Sequence, residues 1–409
     1  MGVQRDCPLT SLDVSSDFRQ WMRTPTFYCH FACVCAAVGA PQVGGIVFIA
    51  RHVAEFAVHQ LYSWPEEVVV AAAAAGGGAA LQFGKSVNGN GLKETPSDVQ
   101  LHMAAMRGDE VALLRVLDSG KVHVDCKDED GTTPLILAAA GGHTYCVMEL
   151  LDQGADPNSR RLTGTTPLFF AAQGGHLDVV KILIKAGASV DTPSADGGTP
   201  LFVACQGGHV KIVRELLDCG ANVNAHMKDR ATPVFISAQN GHRTVLSLLI
   251  QAGAEIDIKR IDGATPLWIA AQMGQDHICK VLLQNGANVD TVRCDGATPL
   301  FKAAHKGHAA VITVLLKYRP NLGQLPNGES ALHAAAMFGH MTVCKQLVAA
   351  GSDVLLKNHD GLTALQLAHQ QKYTSICDYL QERIRTMVAR SAKAMATSGV
   401  SSTVKTMSA

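Results

Sequence analysis

Six Gly-His pairs place imidazoles at His143, His176, His209, His242, His308 and His340. Neutral imidazole is a common metal ligand. These six, however, fall in different copies of a 33-residue period, so no two could share a site within one turn, and structural hydrogen bonding is their expected role. Cys29, Cys33 and Cys35 beside His30 form a second cluster. As a zinc site it lacks a fourth ligand, and its spacing is not that of a zinc knuckle. S-acylation would require contact with a membrane, so small apolar filler is the plainer reading. Ala79-x₄-Gly84-Lys85-Ser86 matches a relaxed phosphate loop. That chemistry needs a helix directly after the loop, whose N-terminus receives the phosphate. Val87-Asn-Gly-Asn-Gly91 follows instead and starts helices poorly. With no nucleophile–base pairing legible either, neither catalysis, a metal nor a cofactor is expected, and what remains is recognition.

Composition agrees. The 409 residues carry 35 Lys+Arg against 35 Asp+Glu, and residues 97–383 hold 25 basic and 28 acidic groups. Binding to nucleic acid needs a basic excess or stripe, so no nucleic-acid partner is expected. Hydrophobic residues make up 47% and aromatics only 5%, which suits a core of Ala, Leu and Val rather than a disordered chain. Twelve cysteines without a disulfide framework point to a reducing, cytoplasmic setting.

The elements that must position these groups repeat. Thr133, Thr166, Thr199, Thr232, Thr265 and Thr298 follow one another at 33 residues, and Ser330 and Thr363 continue the series after one missing residue. A degenerate copy near Val99–Leu101 makes nine units. In each, Thr supplies an N-cap oxygen, and the Pro that follows most of them sits at the first helical position, where its missing N–H costs nothing. Ala pairs such as Ala138-Ala139 and Ala303-Ala304 allow close helix approach, and Gly before each His supplies a left-handed helix end. A second helix carries an apolar face (Val179, Val180, Leu183, Ile184) and ends at Gly-Ala. Asp-Gly then recurs at 130–131, 196–197, 262–263, 295–296 and 360–361, a tight-hairpin signal. The expected fold is all-α: a solenoid of about nine helix–turn–helix–hairpin units over 93–383, whose core is stacked and local.

These motifs identify residues 97–383 as resembling the ankyrin-repeat family. The resemblance implies an interaction module without catalysis: a monomeric scaffold or adaptor that binds another protein. It also implies that Gln173, Gln206, Gln239 and Gln272, at the ends of four successive first helices, face the concave groove, with His305, Met337 and Gln370 continuing the row. Four amides in line could pair with an extended peptide or with one another; both readings stand. Asp130, Asp196, Asp229, Asp262 and Asp295 mark the hairpin tips. Turn chemistry explains most of them, and an acidic fringe for a basic ligand is the second reading, diluted by Arg160, Arg161, Arg260 and Arg293. Phe169, Phe202, Phe235, Trp268 and Phe301 are expected to stack repeat on repeat in the core. By resemblance only, Asn158 and Asn224 sit where family members are hydroxylated.

The flanks depart from the repeat. Residues 1–92 form an irregular extension that is Ala/Gly-rich at 71–80. Residues 24–50 contain no Lys, Arg, Asp or Glu, so a membrane-tethered adaptor is the alternative reading, although Pro41-Gln42 and Gly44-Gly45 interrupt the span. The apolar stretch begins late and lacks a small-residue cleavage pattern, so a cleavable signal is not expected. The Ser/Thr/Ala-rich basic stretch 384–409 is expected to be a disordered tail. At Tyr318-Arg319-Pro320, where Gly-Ala is lost, the stacking is expected to be locally irregular.

Overall fold

A computed structural model describes residues 95–326 and 328–403, with side chains to Arg390. The expectations for 1–92, including the apolar span 24–50, the 71–80 run, the Cys29 cluster and the phosphate-loop match, lie outside the described residues. Eighteen helices follow one another: α1 (Pro96–Arg107), α2 (Glu110–Asp118), α3 (Pro134–Gly141), α4 (Thr144–Asp152), α5 (Pro167–Gly174), α6 (Leu177–Lys185), α7 (Pro200–Gly207), α8 (Val210–Asp218), α9 (Pro233–Asn240), α10 (Arg243–Gln251), α11 (Pro266–Met273), α12 (Asp276–Gln284), α13 (Pro299–Lys306), α14 (Ala309–Leu316), α15 (Ala331–Met337), α16 (Met341–Ala349), α17 (Ala364–Gln370) and α18 (Thr374–Thr403). First helices pack on first helices of the next copy, and second helices on second helices. The result is an all-helical ankyrin-type solenoid.

Local chemistry sets each first helix. Thr166 Oγ1 accepts from Phe169 N at 3.2 Å, and Thr133, Thr199, Thr232, Thr265 and Thr298 do the same three residues on. Each such cap stabilises its helix by about 1 kcal/mol. The helix then stops at a left-handed glycine, for example Gly175 at φ 80°. The first copy starts earlier than its phase, at Thr95, whose capping box with Asp98 adds a turn to α1.

Between helices the core is thin and dense. Leu101, Leu135, Leu168, Leu201, Val234 and Leu267 are fully buried, as are Ala138-Ala139 and Ala270-Ala271. Ala pairs keep the helix axes close, and Leu and Val fill the interval beside one buried aromatic per copy from Phe169 to Phe301. Cys146, Cys205, Cys279 and Cys344 sit here as small buried residues. Burial pushes the thiols of Cys205, Cys279 and Cys344 up to about 12.

Three features differ from the sequence expectations. The Asp-Gly segments form turns rather than strand hairpins, and the one bridge among the described residues joins Lys357 to Thr363. The reason is length: one flanking bond, such as Asp128 N to Thr132 O (3.1 Å), precedes the cap at Thr133 and leaves no room for a ladder. The aromatic row is buried, but no ring pair joins its successive members among the described residues; Phe169 pairs edge-on with Phe170 of its own helix. Two of its rings carry arginines instead, with Arg260 over Phe235 at 5.3 Å and Arg293 over Trp268 at 4.8 Å. Finally, α18 continues through 384–403, where composition suggested a disordered tail. Docking of Ile376, Cys377 and Leu380 anchors this helix, and it runs on through the Ser/Thr/Ala-rich stretch to Thr403.

Candidate protein-binding surface

The histidines and the glutamine row prove to be parts of one device. Gln173, Gln206, Gln239 and Gln272 lie at the ends of α5, α7, α9 and α11. The backbone carbonyls of this row receive the imidazoles of the following copy: His209 Nε2 donates to Gln173 O (3.1 Å), His242 to Gln206 O (3.0 Å) and His308 to Gln272 O (2.9 Å). His143, His176 and His340 reach Met106 O, Ala140 O and His305 O in the same way. Each ring lies flat against the preceding glycine cap; a Cβ on Gly142 would come within 2.3 Å of His176. Glycine is required there twice over, for its left-handed φ and for the ring's approach. Because the His side chain is turned to its neighbour, second helices such as α6 and α8 begin without a side-chain cap bond. The histidines are therefore inter-repeat ties, and no cluster able to hold a metal occurs among the described residues.

Three of the four carbonyls are occupied in this way, and Gln239 O is the exception because the sixth copy has Gln275 in place of histidine. Gln206 is exposed, and Gln173, Gln239 and Gln272 are half-buried. Among the described residues no bond links the amides of Gln206, Gln239 and Gln272 to one another or to other groups, whereas Asn240 Nδ2 reaches Gln206 O at 2.9 Å.

At the tips the aspartates are shared between turn and cross-repeat duties. Asp229, Asp262 and Asp295 each accept from the backbone N–H two residues on. Arg161 pairs with Asp130 (3.0 Å), Arg260 with Asp229 (3.3 Å), and Arg293 with both Asp262 (3.1 Å) and Asp295 (3.3 Å). Asp196 has no ion-pair partner among the described residues. Below the side chains, Leu162 N donates to Asp130 O, Ala195 N to Thr163 O, Lys228 N to Asp196 O, Ile261 N to Asp229 O and Cys294 N to Asp262 O, each at 2.7–3.0 Å. Among the described residues no such tie reaches Asp295 O. The position that would reach Asp295 O is Pro326, which has no N–H.

Asn158 and Asn224 belong to a third row that sequence reading treated only as a modification site. Asn158 Oδ1 accepts from Ser189 N (2.8 Å) and its Nδ2 donates to Gly187 O (3.0 Å), while Asn224 Oδ1 accepts from Glu255 N (2.9 Å). Asp125, Asp191, Asp257 and Asp290 do the same for backbone amides 31 residues on. The recurrence of Asp or Asn at this phase was the available signal, but its partner is in the next repeat and only the stack shows it.

A family model described as "Ankyrin repeats (3 copies)" matches residues 101–194, 188–260, 254–324 and 318–388. The chain belongs to the ankyrin-repeat family. Its similarity to ankyrin repeat domain-containing protein 29 is 49% identity over 69 residues for the Danio rerio protein and 51% over 69 for that of Homo sapiens. Each match covers 17% of this chain and 23% of the relative, so the chain spans less than a quarter of the length of these relatives. The E3 ubiquitin-protein ligase KEG of Arabidopsis thaliana is 40% identical over 60 residues, 15% of this chain and 4% of that protein. Among solved structures, the ankyrin repeat domain of human ASB11 superposes with a TM-score of 0.50 at 31% identity, covering 54% of this chain and 99% of that one.

Within this ankyrin stack, burial sets the chemistry of the polar core groups. His333 takes the aromatic-row position in the eighth copy, with Nε2 donating to Leu356 O (3.0 Å) and Leu362 O (3.2 Å) and Nδ1 beside Ser330 Oγ (2.8 Å). Burial holds its pKa below the ordinary histidine value. Trp268 Nε1 makes the equivalent bond to Ala297 O (3.0 Å). No helix among the described residues is long and apolar enough to cross a membrane. Ankyrin repeats are in general protein–protein interaction modules.

Proposed function

We propose that this chain is a non-catalytic scaffold or adaptor that binds another protein through the concave face and tips of its ankyrin solenoid. One observation carries the reading. The amides of Gln206, Gln239 and Gln272 recur at one position of successive copies and are unpaired among the described residues, and the carbonyls of Gln206 and Gln272 are tied down by histidines. Unpaired polar groups on a pre-organised surface can bond a peptide backbone at little ordering cost. The partner-binding candidates are Gln173, Gln206, Gln239 and Gln272 with the tip residues Asp130, Asp196, Asp229, Asp262 and Asp295. The setting proposed is cytoplasmic and the state monomeric. A crosslinked pull-down compares the full chain with a variant carrying all four glutamines as alanine. Loss of the captured protein supports the groove; retention moves the site to the tips.

A second reading rests on the charge-free stretch 24–50, which would tether the adaptor to a membrane. Release of the full chain by alkaline carbonate would remove it. Asn158 and Asn224 are proposed as hydroxylation sites, and an intact mass without added oxygen, from protein made in its own cells, would count against them.

A further inference from the structure

Beside the Gln row runs a second row whose character changes along the stack. The residue following the Gln position is Gly141, Gly174, Gly207 and Asn240 in the second to fifth copies, then Met273, Lys306 and Phe338 in the sixth to eighth. The lip of the groove passes from bare backbone to long side chains. Met273, Met337 and Phe338 keep 50%, 36% and 42% of their surface in solvent. Exposed apolar side chains of this size, Met337 and Phe338 adjacent in the chain, are candidates for a contact site.

Among these apolar groups α13 sets a cationic pair one helical turn apart, Lys302 and Lys306, on the same helix face. Neither lysine has an ion pair among the described residues. Lys302 Nζ lies 5.7 Å from the centroid of Trp268, the ring that also carries the Arg293 guanidinium. The nearby carboxylate, Asp295, is already engaged by Arg293 at 3.3 Å. Burial first, then the neighbouring Lys306, holds the Lys302 ammonium below its ordinary range. Between the lysines, His305 rests on Phe338 with centroids 4.2 Å apart, and its Nδ1 is buried without a hydrogen-bond partner. Burial and the two lysines lower its pKa, so at neutral pH this ring adds apolar surface rather than a third charge. The patch is thus positive, uncompensated and rimmed by apolar side chains.

We infer that this patch takes an acidic segment of a partner protein, its carboxylates pairing with Lys302 and Lys306 and an adjacent aromatic or aliphatic side chain covering Met337 and Phe338. The inference rests on the protein-binding reading above and narrows the partner's chemistry. Charge complementarity selects this occupant: a carboxylate relieves the repulsion between two like charges that form no ion pair among the described residues, while a basic or neutral segment does not.

A displayed random-peptide library selected on the full chain tests it, with counter-selection on Lys302→Gln/Lys306→Gln. The expected enrichment is for Asp and Glu flanking an aromatic or aliphatic residue. Enriched peptides should bind the double Gln variant about tenfold more weakly by fluorescence anisotropy, weaken with added salt, and recover on Lys302→Arg/Lys306→Arg. Phe338→Ala should weaken the same peptides. Absence of acidic enrichment, or equal binding to wild type and the double Gln variant, overturns the inference. Peptides lost on Gln206→Ala/Gln239→Ala/Gln272→Ala but kept on the lysine variant overturn it too, yet leave the groove reading intact. Co-sedimentation with phosphatidylserine vesicles, without peptide binding, would assign the charge to a lipid surface and overturn it.

Discussion

Replacing Gln275 by histidine should stabilise this protein. Histidine follows the helix-end glycine in the second to fifth, seventh and eighth copies, each ring donating to a carbonyl of the preceding copy at 2.9–3.1 Å. The sixth copy has Gln275, and by the same register its target is Gln239 O. No bond from Gln275 to that carbonyl forms, although the side chain occupies the same place: its amide atoms come within 2.7–2.8 Å of where a Cβ on Gly241 would lie, as His242 does over Gly208 at 2.6–3.0 Å. An imidazole therefore fits without displacing the backbone. The added bond contributes about 0.5–1.5 kcal/mol net, and a ring with two torsions loses less freedom than glutamine. A gain of about 1 kcal/mol, or about fivefold in the local opening equilibrium, is expected. Because Nε2–H donates in both the neutral tautomer required and the protonated ring, the gain should persist on acidification. Native-state hydrogen exchange of amides between 241 and 276 reads the local effect, and a urea midpoint reads the global one. The reciprocal swap His209→Gln should lose a similar amount by removing the bond to Gln173 O. If both swaps leave exchange unchanged, the histidines act by packing alone and the reasoning about the carbonyl ties is wrong.

Four further outcomes follow from named contacts. Trp268→Phe keeps the buried ring but loses the bond to Ala297 O and weakens the stacking of Arg293; since Arg293 N also donates to Ala297 O (3.1 Å), the carbonyl is not orphaned and the cost should be about 1–2 kcal/mol by urea unfolding. At about pH 8 a maleimide should label the exposed Cys219 and Cys294 and spare Cys205, Cys279 and Cys344 until unfolding. Folded-state thiols near 12 against about 8.5 unfolded mean stability is whole below about pH 8.5 and falls as pH rises toward 12; a urea midpoint unchanged between about pH 8 and 10.5 would contradict this. Across 316–330, Leu325 and Gly328 should exchange faster than their counterparts Arg293 and Gly296, because Pro326 cannot donate to Asp295 O; uniform protection would refute it.

The repeats show how far residue types alone reach. Thr-Pro, Ala-Ala, Gly-His and the apolar pairs each act within a few residues, through capping, close approach and left-handed termination, so element order and phase follow from short-range chemistry. The same locality made 384–403 misleading: composition without an apolar face suggested disorder, yet a helix anchored by the docking of Ile376 and Leu380 runs through it. The irregularity expected at Tyr318-Arg319-Pro320 is local. Arg319 adopts a left-handed φ of 52° in place of glycine, but Asn321 N still bonds Asp290 and α13 still packs on α15.

What the sequence alone determined is the unit: a hydroxyl-capped first helix, a short turn, an amphipathic second helix and a loop, because every cause lies within the unit. What the tertiary structure decided is the pairing between units. A histidine's partner is a carbonyl 35–37 residues earlier, an aspartate or asparagine at the loop reaches an amide 31 residues later, and two rings of the aromatic row carry arginines rather than stacking. The patch at Lys302, Lys306 and Phe338 belongs to that second class. Its lysines are ordinary in sequence, and only the stacking of three copies leaves them uncompensated beside exposed apolar side chains.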